Sequence, residues 1–217
     1  AGSETRKIGD MYASFMDEAR LEKLGYKPLT GELQRIRGMR DKKAVPAMIA
    51  HLSQIGVPVP YGMYVGQDAR ESTRYAAYVT QSGLGMPDRD YYLKKDDEKL
   101  AKTRAAYEKH VEKTLSMAGE KNAASAAKAI LDFETQLAEV QWTKVDNRDP
   151  VKRYNKVDIA KLGELTPGYD WKAGLASAGI ANKVDYVIVN QPSYLKGFNE
   201  ILAKTELSTL KSYFEWQ

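Results

Sequence analysis

The stretch that decides the fold runs from Asp97 to Trp142: DEKLAKTRAAYEKHVEKTLSMA (97–118), GEK (119–121), NAASAAKAILDFETQLAEVQW (122–142). In its first half Leu100, Arg104, Tyr107, Val111 and Leu115 recur at steps of three and four. In its second half Ala126, Ile130, Phe133, Leu137 and Val140 do the same. That period is helical, and Gly119 closes the first helix. At 1.5 Å per residue each helix spans about 30 Å. The link between them is short, so they are expected to pair antiparallel.

Upstream, Arg6 to Leu24 reads as one helix stopped by Gly25, Leu29 to Gly38 as a second, and Asp41 to Ile55 as a third between an Asp41 N-cap and a Gly56 C-cap. Then the rhythm changes. Val57 to Gln67 and Thr73 to Gln81 are rich in Val and Tyr and alternate, which predicts an antiparallel hairpin across the polar link Asp68–Ser72. Downstream, Asn147 to Pro150 reads as a turn, and Asp158 as the cap of a short helix to Leu162. Asp170 is read as the cap of a helix from Trp171 to Ala178, and Val184 to Val189 as a strand. Pro192–Ala203 and Leu207–Trp216 read as helices. The fold class is mainly α, in the α+β sense, with a small hairpin. The aromatic stop at Phe214-Glu215-Trp216-Gln217 reads as a chain cut from something longer, and Ala1-Gly2-Ser3 as a cloning scar.

Composition narrows function. The 217 residues hold 43% hydrophobic and 29% charged residues, as ordinary globular chains do. Lys and Arg total 33 against 29 Asp and Glu, a net charge of +4, too dilute for a nucleic-acid surface. The densest basic cluster, Arg35, Arg37, Arg40, Lys42 and Lys43, is interrupted by Asp41 and reads as solvated helix ends; nucleic-acid binding is its competing reading. No apolar run is long enough to span a membrane. The chain has no Cys, which removes disulfides and thiolate chemistry. It has 14 Tyr against 4 Phe, suited to half-wet walls and contacts. The two histidines, His51 and His110, stand in no zinc-ligand spacing, so no metal ligand and no catalytic residue is expected here. Gly83-Leu84-Gly85 lacks the third glycine of a dinucleotide loop. The carboxylates Asp96-Asp97-Glu98 and Glu134 with Glu139 read as solvated helix faces or N-terminal dipole partners, with a glycosidase-like pair as the competing reading.

Two compact motifs remain. Pro87-Asp88-Arg89-Asp90-Tyr91-Tyr92 and Arg148-Asp149-Pro150-Val151-Lys152-Arg153-Tyr154-Asn155 each crowd Arg, Asp and Tyr into an irregular segment. Arg beside Asp suits bidentate structural pairing, which predicts loop-locking networks, with substrate contact as the competing role. If Arg89 and Asp90 are buried and paired, losing Arg89 should cost on the order of 3 kcal/mol.

Gly83-Leu84-Gly85-Met86-Pro87-Asp88-Arg89-Asp90-Tyr91-Tyr92 closely resembles the GLGLPxRDYY signature of the neprilysin and endothelin-converting-enzyme family of zinc metallopeptidases. The resemblance extends in order from Ile8-Gly9-Asp10-Met11-Tyr12 through Arg148-Asp149-Pro150 and Tyr154-Asn155. It continues over Asn190-Gln191-Pro192-Ser193-Tyr194-Leu195 to Tyr213-Phe214-Glu215-Trp216. It is a resemblance to the family's N-terminal half. The family's H-E-x-x-H zinc helix, its downstream Glu ligand and its substrate-binding N-A-x-Y strand belong to the other half, and none is in this sequence.

The resemblance therefore implies a single N-terminal lid-domain fragment over 1–217, without catalytic or metal residues of its own. Zinc would reside in the parent, a metalloendopeptidase or oligopeptidase, and this chain alone would be inactive. The lid would face a C-terminal catalytic domain across an enclosed cavity that admits peptides, with Gly83, Gly85, Pro87, Arg89–Tyr92, Arg148, Asp149, Tyr154 and Asn155 structural or cavity-facing. Tyr213, Phe214 and Trp216 are the expected domain contact, on an exposed apolar face. Absent cysteines fit a bacterial member, extracytoplasmic or else cytosolic. A stand-alone helical peptide-binding or scaffold module is the alternative. No nucleic acid and no membrane contact is implied for this segment.

Overall fold

A computed structural model describes residues 2–217. The chain divides into two compact units, Ala1–Arg37 and Gly38–Gln217. In the first, the expected single helix is two, α1 (Glu4–Phe15) and α2 (Glu18–Leu24). The break falls at Met16–Asp17 because the Asp17 side chain accepts from the Arg20 amide and starts a new helix. A 3-10 turn over Lys27–Leu29 then leads into α3 (Thr30–Arg37).

The second unit opens with α4 (Val45–Gln54), preceded by a 3-10 turn that Asp41 caps through the Lys43 amide. The hairpin forms as predicted: β1 (Tyr61–Gln67) pairs antiparallel with β2 (Tyr75–Gln81). The loop after it ends in a single turn, α5 (Asp90–Leu93). The long helices follow as α6 (Glu98–Met117), capped by Asp97, and α7 (Ala123–Val140). They pack on each other, and their short link leaves only the antiparallel arrangement.

Beyond them, β3 (Lys156–Asp158) and α8 (Leu162–Leu165) precede α9 (Trp171–Ser177), which the Asp170 side chain caps through the Ala173 amide. Then come β4 (Tyr186–Val189), α10 (Pro192–Lys204) and α11 (Leu207–Trp216). Asp158 therefore ends a strand rather than capping a helix outright: a 3-10 turn over Ile159–Lys161 separates it from α8. The hairpin is part of a four-stranded sheet of order β1-β2-β4-β3. β4 lies parallel to β2 and antiparallel to β3. The parallel pair is possible because α5 to α9 supply the crossover.

The core of this unit is built on α7. Ala127, Ile130, Phe133, Leu137 and Ala138 are buried there, with α6, α10 and α11 packed around. α10 comes in close because of Gly197, where a Cβ would sit 2.8 Å from the Val140 side chain. α4 packs on α9. The expectation of an exposed contact at Tyr213, Phe214 and Trp216 is corrected: Tyr213 and Phe214 are buried inside this chain, and Trp216 is half-buried. The apolar face of α11 is used up against α7, where Phe133 and Tyr213 meet edge to face at 4.9 Å.

Candidate functional site

The first motif folds over a buried carboxylate. Gly83 has φ +88°, and a Cβ there would lie 2.6 Å from the Pro60 Cα. Only glycine fits both the conformation and the space. Its carbonyl accepts from the Tyr213 hydroxyl at 2.8 Å. Two residues on, a Cβ on Gly85 would overlap the Tyr107 hydroxyl. This close passage lets the loop reach Glu134, which lies wholly buried in α7.

Glu134 accepts from Tyr92 (2.8 Å), Tyr107 (2.8 Å) and Gln217 (3.2 Å), and from the Gly85 amide. The two tyrosines are held from behind: Tyr92 accepts from the Met86 amide at 2.9 Å and Tyr107 from the Trp216 indole at 2.8 Å. Burial pushes the Glu134 carboxyl up to about 7, with these hydrogen bonds working against the rise. Burial and then the neighbouring carboxylate push Tyr92 and Tyr107 well above the ordinary phenol range. The reading of Glu134 as a solvated helix face is thus overturned. One signal could have found it: Glu134 stands four residues after Ile130 and four before Ala138, in phase with the apolar stripe.

Arg89 and Asp90 do not pair with each other as expected. The half-buried Arg89 donates to the carbonyls of Ala138 (3.1 Å) and Glu139 (3.4 Å) in the last turn of α7. These are carbonyls a helix end leaves without partners. Asp90 pairs with Lys94 at 2.8 Å, and Asp88 with Lys144 at 2.6 Å. The carbonyls of Tyr91 and Lys94 both accept from Arg104, and Pro87 is exposed. Between this loop and Gln141–Asn147 lies an open cleft of about 290 Å³ lined by Gln81, Met86, Asp88, Arg89 and Trp142.

The second motif fastens a different carboxylate. Asp68, in the hairpin link expected to be merely polar, is 2% exposed. It accepts from Tyr154 and Tyr186, both at 2.8 Å, and from the amides of Arg70 and Glu71. Desolvation works to raise this carboxyl, but the Arg70 amide, the Tyr186 and Tyr154 hydroxyls and the Glu71 amide together bring it down to about 2. Asn155 donates to the carbonyls of Lys152 and Val189, tying the motif to β4. Asp149 accepts from the Val151 and Lys152 amides, and Arg148 is exposed. The two motifs are therefore not one site. Each closes a loop on its own buried acid.

Among the described residues no group of three or more His, Asp or Glu gathers that could hold a metal ion. His51 lies in α4, and His110 in α6 turns its ring edge to Trp216 at 5.6 Å. No described helix is long and apolar enough to cross a membrane.

A mainly helical domain with a small mixed sheet, its motif loops anchored on buried acids, is a packed scaffold. The chain belongs to peptidase family M13: the family's N-terminal profile matches residues 1–217. It is 31% identical to endothelin-converting enzyme 1 of Cavia porcellus over 97% of this chain and 29% of that protein, and 30% identical to the Homo sapiens enzyme over the same shares. The inhibitor-bound Mycobacterium tuberculosis zinc metalloprotease Zmp1 superposes with TM-score 0.90 at 33% identity, covering 99% of this chain and 33% of that one. PepO from Lactobacillus rhamnosis, at 16% identity and TM-score 0.69 over 92% of this chain and 31% of that one, shares the fold. The chain thus spans about a third of the relatives it matches.

Proposed function

We propose that this chain is the N-terminal lid of a zinc-dependent metalloendopeptidase or oligopeptidase. It forms the wall of an enclosed cavity that admits peptides, and leaves the chemistry to a C-terminal catalytic domain of the same polypeptide. The observation that carries this reading is the match along the whole chain to a zinc metalloprotease, in a chain whose described residues offer no metal cluster. Zinc, when bound by that other domain, would polarise the scissile carbonyl and activate water. The residues of this chain supply rigidity: the Glu134 and Asp68 networks hold the loops that face the partner domain or the cavity. An extracytoplasmic setting goes with this reading.

The test is metal analysis and peptide turnover on the protein encoded by the complete reading frame and on residues 1–217 alone. Stoichiometric zinc and chelator-sensitive cleavage of peptides are expected of the former and neither of the latter. A reading frame that ends near Gln217 with no peptidase activity would leave the stand-alone module instead.

A further inference from the structure

The two edges of the sheet are unlike. β3 is three residues long and bears Lys156 and Asp158. Short length and charge are how natural sheets blunt an edge. β1 is seven residues long, Tyr61-Gly62-Met63-Tyr64-Val65-Gly66-Gln67, with no charge and no proline. The hydrogen bonds Ser82 N to Pro60 O and Asp68 N to Arg74 O, at the two ends of the hairpin, fix which residues face the partner strand. Even-numbered residues of β1 bond to β2, so the N–H and C=O of Met63 and Val65 point outward along the free edge.

The same residues open onto a groove. Ile49, Tyr61, Met63, Val65, Trp171 and Ile180 line an apolar hollow of about 220 Å³ between β1, α4 and α9. Tyr61 and Trp171 are buried at its floor, while Val65 is 59% exposed at its rim. A strand added beside β1 would place alternate side chains over Met63 and Val65, in that hollow.

We infer that β1 is not the end of the sheet in the complete protein: an extended segment of the same polypeptide, from the part C-terminal to Gln217, pairs with Met63–Val65 and seats an apolar side chain in the groove. This inference rests on the chain being one part of a longer peptidase. What favours an intramolecular occupant is length. The matched relatives are about three times as long as this chain, so most of such a protein lies outside it. A segment tethered in the same chain pairs at high effective concentration, and main-chain pairing with alternate side-chain pockets is a known mode of strand addition.

The experiment uses the full-length protein with the photo-cross-linking residue p-benzoylphenylalanine at Val65, and at Val145, which is also exposed, as control. After irradiation of a mixture of light and heavy isotope-labelled protein, digestion and mass spectrometry locate the partner. The expected product joins residue 65 to one segment beyond 217, light to light and heavy to heavy, and is absent from the Val145 control. Light-to-heavy products would mean a second copy, and overturn the inference. So would the same product from Val145, or no product.

Hydrogen exchange on the unsubstituted protein decides independently if the variant fails to fold. Amides of Met63 and Val65 slowed about 100-fold or more support strand pairing. Exchange at the free-peptide rate contradicts it. Cross-linking without peptidase activity would sink the functional reading and leave this inference standing; activity without cross-linking would do the reverse.

Discussion

Glu134 and Asp68 titrate in opposite directions, and the signs give a pH profile. With its carboxyl at about 7 against an ordinary 4.5, Glu134 binds its proton more tightly in the native state than in the unfolded chain. That contribution is complete below 4.5 and is lost as pH rises through 7. Asp68, held at about 2 against 3.8, contributes above 3.8, and its contribution is lost as pH falls through 2. Between pH 5 and 8 the parent chain should lose roughly 2 to 3 kcal/mol relative to Glu134→Gln, as followed by urea melts across that range. Parallel curves for the two proteins would contradict the buried, proton-retaining carboxyl. Gly85→Ala tests the same site sterically. Its methyl would displace Tyr107 from Glu134, costing about 2 kcal/mol by chemical denaturation. Neither acid stood out in the sequence, because a carboxylate inside a helix or a turn normally faces water. Glu134 betrayed itself only by sharing the phase of Ile130 and Ala138.

At the level of elements, periodicity carried the fold. The helix pair, the hairpin and the last two helices lie within a few residues of their expected bounds, since each has an apolar face and a clear stop. What escaped was set by single side chains or by distant partners. Asp17 splits the first helix, and β3 exists only because β4 lies beside it. Pattern reading also misplaced Tyr213 and Phe214, which look like an unfinished surface but are the contact of α11 with α7. Two substitutions probe the joints of α7. Arg89→Ala frees the carbonyls of Ala138 and Glu139 and should cost about 1 kcal/mol, below the 3 kcal/mol of a broken buried ion pair, because Arg89 is half exposed and the carbonyls can turn to water. Gly197→Ala should destabilise by about 1 kcal/mol net, because the clash with Val140 exceeds the gain in helix propensity. A stabilised Gly197→Ala protein in urea would mean that α10 and α7 are not in close contact.

For the molecule as a whole, the loop 83–92 was legible as a family signature but not as a device. Its glycines and tyrosines make sense only with Pro60, Tyr107, Glu134 and Tyr213 around them, residues brought from four other places in the chain. The fold built this way packs its motif loops on buried acids, and membership of family M13 places it beside peptidases of about three times its length. On the reading proposed above, this domain shapes access to a cavity and the chemistry belongs to the catalytic domain. The most direct measurement is cleavage by the complete protein of an unstructured peptide and of the same sequence embedded in a stably folded domain, with residues 1–217 assayed in parallel. Zinc-dependent, chelator-sensitive cleavage of the free peptide only is expected, and none by residues 1–217. Equal cleavage of the folded substrate, or zinc-dependent turnover by residues 1–217 alone, would contradict it.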